Sequence, residues 1–473
     1  MTRETELPSG FQVQIDPTCD VDGDWRRLIG GSPTRLLTVS DRAAAMIDDD
    51  GRITVRDDGT RSLARTLLDR GVAHPRPMSG PRADEVTVVV PVRDNQAGLD
   101  RLLESLRGLN VIVVDDGSAV PLAVPDGVRL ERLETNRGPA AARNRGAALA
   151  DTEIVVFLDS DVVPLVEGAA ARGGCGDWLA ALLGHFSDPA VGLAAPRIVG
   201  LPTRNTGPIG RYEAAASSLD MGARESAVTP GGRVPYVPSA AMAVRRSAFP
   251  GFDEGLRVAE DVDLCWRMSA DGWQLRYDPI ARVAHDHRTA LSAMLDRRRF
   301  YGTGAAFLAE RHGRAAAPLA MGGSIALALA ALLTRTRLGL VVAAVALGVA
   351  GWRLRARLAA LPDRNRVAVR LTAQAAGNGL LQTGSAVTRH YWPIAVLGAL
   401  ASRRLRRLFV RIALADAAVA WVRLARAEHR IPRIDPLSFF VLRRLDDLAY
   451  GTGLWQGALT RRDPTALLPV FTR

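Results

Sequence analysis

Early in the chain the apolar positions come in short, unbroken, β-branched runs: residues 86–90 (V-T-V-V-V), 111–114 (V-I-V-V) and 154–156 (I-V-V), the last continued by Phe157 and Leu158. Runs of that length and composition predict buried strands. Between the first two, Leu99, Leu102, Leu103 and Leu106 recur at the spacing of one helix face. Strand, helix and strand therefore follow in the order that builds a parallel sheet. Each run stops at polar, turn-forming residues. Pro91, Val92, Arg93 and Asp94 follow the first, Asp115, Asp116, Gly117 and Ser118 the second, and Asp159, Ser160 and Asp161 the third. Ligands of such sheets sit outside the carboxyl ends of the strands, so three acidic strand ends are expected to converge on one crevice.

The flanking regions are patterned differently. Before the sheet, residues 34–39 read as a strand, Ser40 as the cap of a short helix from Ala43 to Ile47, and residues 48–59 as a hairpin around Asp50-Gly51. Thr60 is expected to cap a helix with Leu63, Leu67 and Leu68 on its apolar face; Gly71 ends it, and Pro75 and Pro77 open a linker. This divides the chain into a small module at 1–80, a catalytic domain at 81–310 and a helical region at 311–473. In the last, residues 315–333 and 338–352 are uncharged, and Thr334-Arg335-Thr336-Arg337 separates them. The first stretch is long enough to span a bilayer but contains Pro318, Gly322 and Gly323, and the second is short. If both crossed, the arginine-bearing turn would lie outside, against the positive-inside tendency. A hairpin, or helices that dip into one leaflet, fits better; a soluble helical cap is the alternative.

Composition sharpens the last point. The 473 residues are 48% hydrophobic, enough for two or three domains. All 61 basic residues are arginine, and with 50 acids they give a net charge of +11. Between Arg297 and Arg411 the acids are only Glu310 and Asp363, and residues 405–426 alternate arginine with Leu, Val, Ile and Trp. Such a region is drawn to anionic lipid, so the expected location is the cytoplasmic side of the cell membrane. Nucleic acid is not an expected partner, because Asp48, Asp49, Asp50, Asp57 and Asp58 put negative charge where a DNA-binding wing would meet phosphate. Cys19, Cys175 and Cys265 are odd in number and far apart, which suggests neither a disulfide framework nor a zinc cluster, and a reducing compartment. Residues 1–10 are polar and carry acids, so no signal peptide is expected.

Candidate chemistry gathers at the strand ends. Asp159 and Asp161 face the same way if the strand conformation persists, and paired hard carboxylates suit magnesium or manganese. Alone, a D-x-D is more often a turn or a helix cap. Its neighbours change that balance. Residues 136–146 (N-R-G-P-A-A-A-R-N-R-G) open on Gly-Pro, continue with small residues that let a helix N-terminus approach a ligand, and carry Arg143 to meet phosphate oxygens; an ordinary surface helix is the alternative. Glu260, Asp261 and Asp263 read either as proton acceptors or as the solvated acidic start of a helix that buries Val262, Leu264, Trp266 and Met268. His285 and His287 would point to one side of a strand and complete a metal shell, or be satisfied surface histidines. Transfer from a nucleotide diphosphate would need a cation for the departing charge and an opposed carboxylate for the acceptor proton, and direct attack would invert the reacting centre.

In order and spacing these motifs resemble those of the family-two glycosyltransferases of the GT-A fold. The resemblance runs through the strand at 86–91, D-D-G-S at 115–118, N-R-G-P-A-A-A-R-N at 136–144, D-S-D at 159–161, G-F-D-E at 251–254, E-D-V-D-L-C-W-R at 260–267, Gly272-Trp273 and H-D-H-R at 285–288. It implies an α/β fold: a GT-A (Rossmann-like) catalytic domain with a small N-terminal winged-helix-like module and a C-terminal helical, partly hydrophobic region. It implies that Asp115 contacts the nucleobase and that Pro91, Arg93, Asp94, Asp116, Asn136, Gly138, Arg143, Asp159 and Ser160 line the nucleotide-sugar site. By the same resemblance Asp159, Asp161 and His287 hold a divalent metal, Mg or Mn. Asp261 is the implied general base with Glu260 beside it, and Trp266 and Arg267 meet the acceptor. Two departures stand out. The usual P-x-Y-N-E loop reads Pro91-Val92-Arg93-Asp94-Asn95, where an arginine plane replaces the ring that lies on the base. The Q-x-x-R-W of processive synthases is missing; R-R-R-F-Y-G at 297–302 stands near its place. The N-terminal order of elements resembles winged-helix peptide-recognition modules of systems that modify ribosomally made peptides. Joined to a family-two transferase, it resembles the glycosyltransferases of mycofactocin systems. That implies transfer of a hexose, glucose from UDP-glucose, to a peptide-derived redox cofactor, with a precursor peptide or pathway enzymes as further partners. A membrane enzyme acting on a lipid or polysaccharide, and a non-catalytic peptide-binding scaffold, stay open. A nucleotidyltransferase would need a Gly-rich loop where residues 92–98 stand.

Overall fold

The computed structural model describes residues 6–21, 24–76, 79–165, 176–202, 207–359, 361–426 and 434–472; Pro77 and Cys175 lie outside them. The chain packs as two units, Met1–Asn205 with Ala216–His287, and Thr206–Ala215 with Arg288–Arg473.

The first unit begins with β1 (Gln12–Ile15), β2 (Asp20–Val21), β3 (Arg27–Gly30), β4 (Arg35–Thr38), α1 (Asp41–Ala44), β5 (Arg52–Thr54), α2 (Asp58–Asp69) and β6 (Ala73–Arg76). β2, β3 and β4 form an antiparallel meander, while β1 lies between β5 and β6. Phe11, Val13, Ile53, Leu63, Leu67 and Leu68 give this part a core of its own. Ser40 caps α1 as expected, accepting from the Ala43 amide. Three local expectations are corrected. β5 pairs with β1 rather than with a second arm of residues 48–59, and the Asp48 side chain folds the turn by accepting from the amides of Asp50 and Arg52. Asp57, not Thr60, is the N-cap of α2; Thr60 stands three residues on and returns the bond in a capping box. Pro75 is not in a linker but pairs with Val13 across β6, an edge strand where the missing N–H is tolerated.

The same unit continues with β7 (Val86–Val92), α3 (Gln96–Ser105), β8 (Asn110–Asp115), β9 (Arg129–Arg132), α4 (Pro139–Leu149), β10 (Ile154–Leu158), β11 (Val162–Pro164), α5 (Gly176–Gly184) and β12 (Val191–Gly200). After α6 (Gly207–Ala216), most of which packs with the second unit, come β13 (Ser226–Ala227), β14 (Ala241–Arg245), α7 (Glu260–Ala270) and β15 (Gln274–His285). The strands join in the order β11-β15-β12-β14-β10-β7-β8-β9, with β13 on β15. β10, β7, β8 and β9 are parallel, so their carboxyl ends share one edge of the sheet. The helices and mixed sheet make this an α/β fold of the GT-A class. Every residue of β7 is buried, which is why its sequence is an unbroken apolar run. The run does not end at Pro91. Pairing with β10 stops at Val89, so Pro91 lies beyond it, bonded only on the β8 side, and the strand reaches Val92.

The second unit is helical: α8 (Leu291–His312), α9 (Gly323–Leu333), α10 (Arg337–Arg357), α11 (Arg364–Arg389), α12 (Trp392–Ala401), α13 (Arg403–Arg426) and α14 (Pro436–Arg461), with β16 (Ala320–Gly322) paired to β17 (Val470–Thr472). α8 and α14 approach so closely that a Cβ on Gly453 would lie 1.8 Å from the Arg299 carbonyl oxygen. Residues 315–333 do not form one long helix. Gly322 leaves the helical region for β16, and α9 that follows is 11 residues long, about half of what a bilayer requires. α10 has 21 residues and is the one helix among the described residues long and apolar enough to cross a membrane. Leu338, Leu340, Val341, Val345, Val349 and Trp352 on it are exposed.

Candidate active site

The loops after β7 and β8 are pinned to each other. Asp94, with φ at 52°, donates its amide to Ser118 Oγ (2.9 Å) and accepts from the Ala119 amide (2.8 Å). Arg93 is half exposed beside it, 3.4 Å from the Asp94 carboxylate. Asp115, fully buried at the end of β8, accepts from the Ser118 amide and from Arg132 Nη1, both at 2.8 Å. Asp116 accepts from the amides of Arg137 (2.7 Å) and Gly138 (2.8 Å), and Asn136 Oδ1 also reaches Gly138 (3.0 Å). Asp116 and Asn136 thus fix the start of α4. The alanines of α4 have a different purpose from that expected: Ala140, Ala141, Ala142 and Gly146 are buried, and a Cβ on Gly146 would stand 2.2 Å from Val89 Cγ1. Small residues here let the helix lie against β7.

That close seating delivers Arg143 to the strand ends. Its side chain is 3% exposed; Nη2 donates to Asp159 Oδ1 at 2.5 Å, Nη1 to Glu260 Oε1 at 3.3 Å, and the guanidinium carbon stands 5.4 Å from the centre of the Phe252 ring. Phe252 is itself held by Phe157 and Phe249 and by two bonds with the Asn144 amide group. The D-S-D end of β10 and the acidic start of α7 therefore share one buried guanidinium. Asp161 lies 3.4 Å from His285 Nε2, Ser160 Oγ accepts from Asn95 Nδ2 (3.0 Å), and the Asp161 carbonyl accepts from the Asp286 amide (2.8 Å). β15 ends at His285, so His287 is not on the strand; it is buried, with its ring centre 6.0 Å from that of His285.

The family model for "Glycosyl transferase family 2" matches residues 87–171. A pre-mycofactocin glycosyltransferase of Mycobacterium tuberculosis is 47% identical over 475 residues, covering 98% of each chain. The chain belongs to glycosyltransferase family 2, in the group of the mycofactocin system. It also aligns with the mannosyltransferase PcManGT of Pyrobaculum calidifontis in complex with GDP-Man and Mn2+ (18% identity, 64% of this chain and 90% of that one, TM-score 0.34). GalNAc-T7 with UDP, GalNAc and Mn2+ aligns at 14% identity over 50% and 52% of the two chains, with a TM-score of 0.33.

Within this glycosyltransferase the start of α7 is built under constraint. Ala259 precedes it at φ 64°, a left-handed conformation that an alanine adopts only at a cost. Asp261 accepts from the amides of Val262 (2.8 Å) and Ser239 (3.3 Å). Burial, and then the charge of Glu260, push its carboxyl up to about 7. Asp159 is also raised, by burial and by Asp161, against the pull of Arg143. Two mutually repelling carboxylates, 30% and 39% exposed at the strand end, suit a cation. Among the described residues no three His, Cys, Asp or Glu side chains form a ready cluster. The donor set fits the mode in which one or two carboxylates bind Mg2+ and substrate phosphates complete the shell. Trp266 and Arg267 are turned inward: the indole donates to the Pro235 carbonyl (2.9 Å), and the guanidinium spans buried Asp263 (2.8 Å) and the Gly251 carbonyl (2.7 Å). They brace α7. The sequence reading did not find Arg132, Ser239 or Phe252. Only Phe252 carried a signal, as part of the G-F-D-E motif.

Proposed function

We propose that the enzyme moves a hexose, glucose, from UDP-glucose to a peptide-derived redox cofactor of the mycofactocin type, by direct displacement with inversion. The observation that supports the transfer chemistry is the Arg143 bridge, which joins Asp159 at the end of β10 to Glu260 at the start of α7, beside Asp261. A divalent cation, Mg2+ or Mn2+, held by Asp159 and Asp161 with the donor's phosphates completing its shell, would supply the positive charge that a departing diphosphate requires; His287, buried and beyond the strand, does not join the two carboxylates in a three-residue cluster. Arg93 and Asp115 face the base, Arg143 donates to phosphate oxygens, and Asp261 takes the proton of the attacking hydroxyl. A carboxyl near 7 suits that task, being ionised in a large share of molecules at neutral pH yet basic enough to accept. No residue is required to form a covalent glycosyl bond.

The acceptor assignment is supported by the likeness to a pre-mycofactocin glycosyltransferase over 98% of each chain. Its sugar-accepting group, and a precursor peptide or pathway enzyme at residues 1–80, belong to the same proposal. So does location at the cytoplasmic face of a membrane, supported by the exposed apolar side chains of α10 and the arginines at both its ends. Those side chains also favour one second reading, a lipid acceptor. Product mass spectrometry decides between them, after incubation with UDP- and GDP-hexoses and either pre-mycofactocin or a polyprenyl acceptor. A single-hexose mass increase on pre-mycofactocin with UDP-glucose is expected; transfer to the lipid alone would overturn the acceptor assignment and leave the transferase chemistry standing.

A further inference from the structure

The Arg143 guanidinium is bonded to one of the two carboxylates assigned to the cation in the reading above. Its Nη2 sits 2.5 Å from Asp159 Oδ1, and its charge offsets part of the repulsion that Asp161 exerts on Asp159. It cannot retreat far. α4 is clamped on β7 through Gly146, the Phe252 ring lies against the guanidinium, and Glu260 holds the other terminal nitrogen at 3.3 Å. A metal ion bound to Asp159 would bring a second positive centre beside this one. In low dielectric such neighbours repel strongly unless an anion comes between them.

From this we infer that Arg143 is a built-in counter-cation that competes with the divalent metal for Asp159 until a nucleotide diphosphate arrives, whose oxygens accept the guanidinium and free the carboxylate. The inference rests on the metal-dependent reading above. It deepens it by making metal binding conditional on donor binding: the empty enzyme holds metal weakly, and the diphosphate supplies the charge that lets both cations sit together. Glu260 gives the displaced guanidinium an alternative anchor, so Arg143 shifts its hydrogen bonds while staying between the two motifs. It is a positioning residue for the metal and a direct contact for the diphosphate.

The test is Mn2+ binding to the full chain, by electron paramagnetic resonance of free Mn2+, with and without UDP. Arg143→Gln is expected to bind Mn2+ about ten- to a hundredfold more tightly than wild type when UDP is absent, the size of one charge-assisted hydrogen bond. With UDP present the order reverses and the variant binds the Mn2+–UDP pair more weakly. Arg143→Lys, which keeps the charge, should stay close to wild type in the absence of UDP. If Arg143→Gln folds poorly, Arg143→Met fills the same space, and Mn2+ alone should raise the melting temperature of that variant more than of wild type. Unchanged or weaker Mn2+ binding by the uncharged variants without UDP would overturn the inference. Failure of the wild type to bind Mn2+ even with UDP would instead overturn the metal-dependent reading beneath it.

Discussion

The helical unit and the strand-end site of the first unit handle charge in opposite ways. In the helical unit, Asp446 accepts from Arg298 (3.0 Å), Arg389 (3.1 Å) and the Tyr212 hydroxyl (3.1 Å), and Arg298 also donates to Glu213 (2.7 Å). Asp447 pairs with Arg389 and Arg444, and Asp416 with Arg443 and Arg444. Guanidinium and carboxylate groups are matched along the ladder. At the strand ends of the first unit Asp159, Glu260 and Asp261 gather around one buried guanidinium, that of Arg143, and Asp161 adds its charge beside Asp159. The contrast recurs within one turn of α7, where Asp263 is paired directly with Arg267 while Asp261 accepts from two amides, is repelled by Glu260 and feels Arg143 without a direct ion pair. A matched network stabilises one arrangement. An acidic excess costs stability, and in the proposed mechanism an incoming cation and an acceptor proton balance it.

The largest effects should come from breaking the unmatched side. Asp159→Ala should lower kcat by about a thousandfold or more, since a metal site that stabilises a leaving diphosphate contributes several kcal/mol to the barrier. Steady-state transfer measures it, and Mn2+ binding with UDP should fall in parallel. A variant retaining a tenth of the activity would remove Asp159 from the mechanism. On the matched side Asp446→Ala removes the carboxylate that Arg298 and Arg389 share, leaving them Glu213 and Asp447, and should cost about 1.5–3 kcal/mol in chemical denaturation. The rate per folded molecule at low temperature should change little. If both substitutions mainly lowered stability, the distinction between the two networks would not hold.

The sequence made the strand ends legible because a parallel strand buried on both faces leaves an unmistakable apolar run, as in β7, β8 and β10. It also pointed to Arg143, Asp159 and Asp261 as separate candidates. It did not carry their pairing: Arg143 and Glu260 are 117 residues apart, and nothing local to either states that they meet. Asp115 illustrates the same limit, because its partner Arg132 sits on an exposed edge strand with no pattern of its own. The strand Gln12–Ile15 had a readable alternation, Val13 and Ile15 in and Gln12 out, but over four residues such a signal is easily passed over. In residues 315–333 composition suggested one long apolar segment, whereas the pairing of β16 with β17, more than a hundred residues away, decides the break.

Asp261 offers the finest test, because its two expected effects have opposite signs. As base, it must be ionised, so wild-type transfer should rise with pH through a midpoint near 7, and Asp261→Asn should lower it about a hundredfold while leaving UDP binding unchanged. For stability the direction is reversed. The folded-state value lies above the ordinary 3.8, so the folded protein holds this proton more tightly than the unfolded chain does. The native state therefore incurs no penalty below about pH 4, loses stability as the pH climbs from there to about 7, and carries the full cost beyond. Asp261→Asn removes that cost and should stabilise the protein by about 1–3 kcal/mol at pH 8 and by almost nothing at pH 4. Denaturation curves at the two pH values read it directly. A variant less active but no more stable at pH 8 would leave Asp261 as a base whose carboxyl the fold does not raise, and the acidic excess of the cleft would then have to be borne by Asp159 and Glu260 alone.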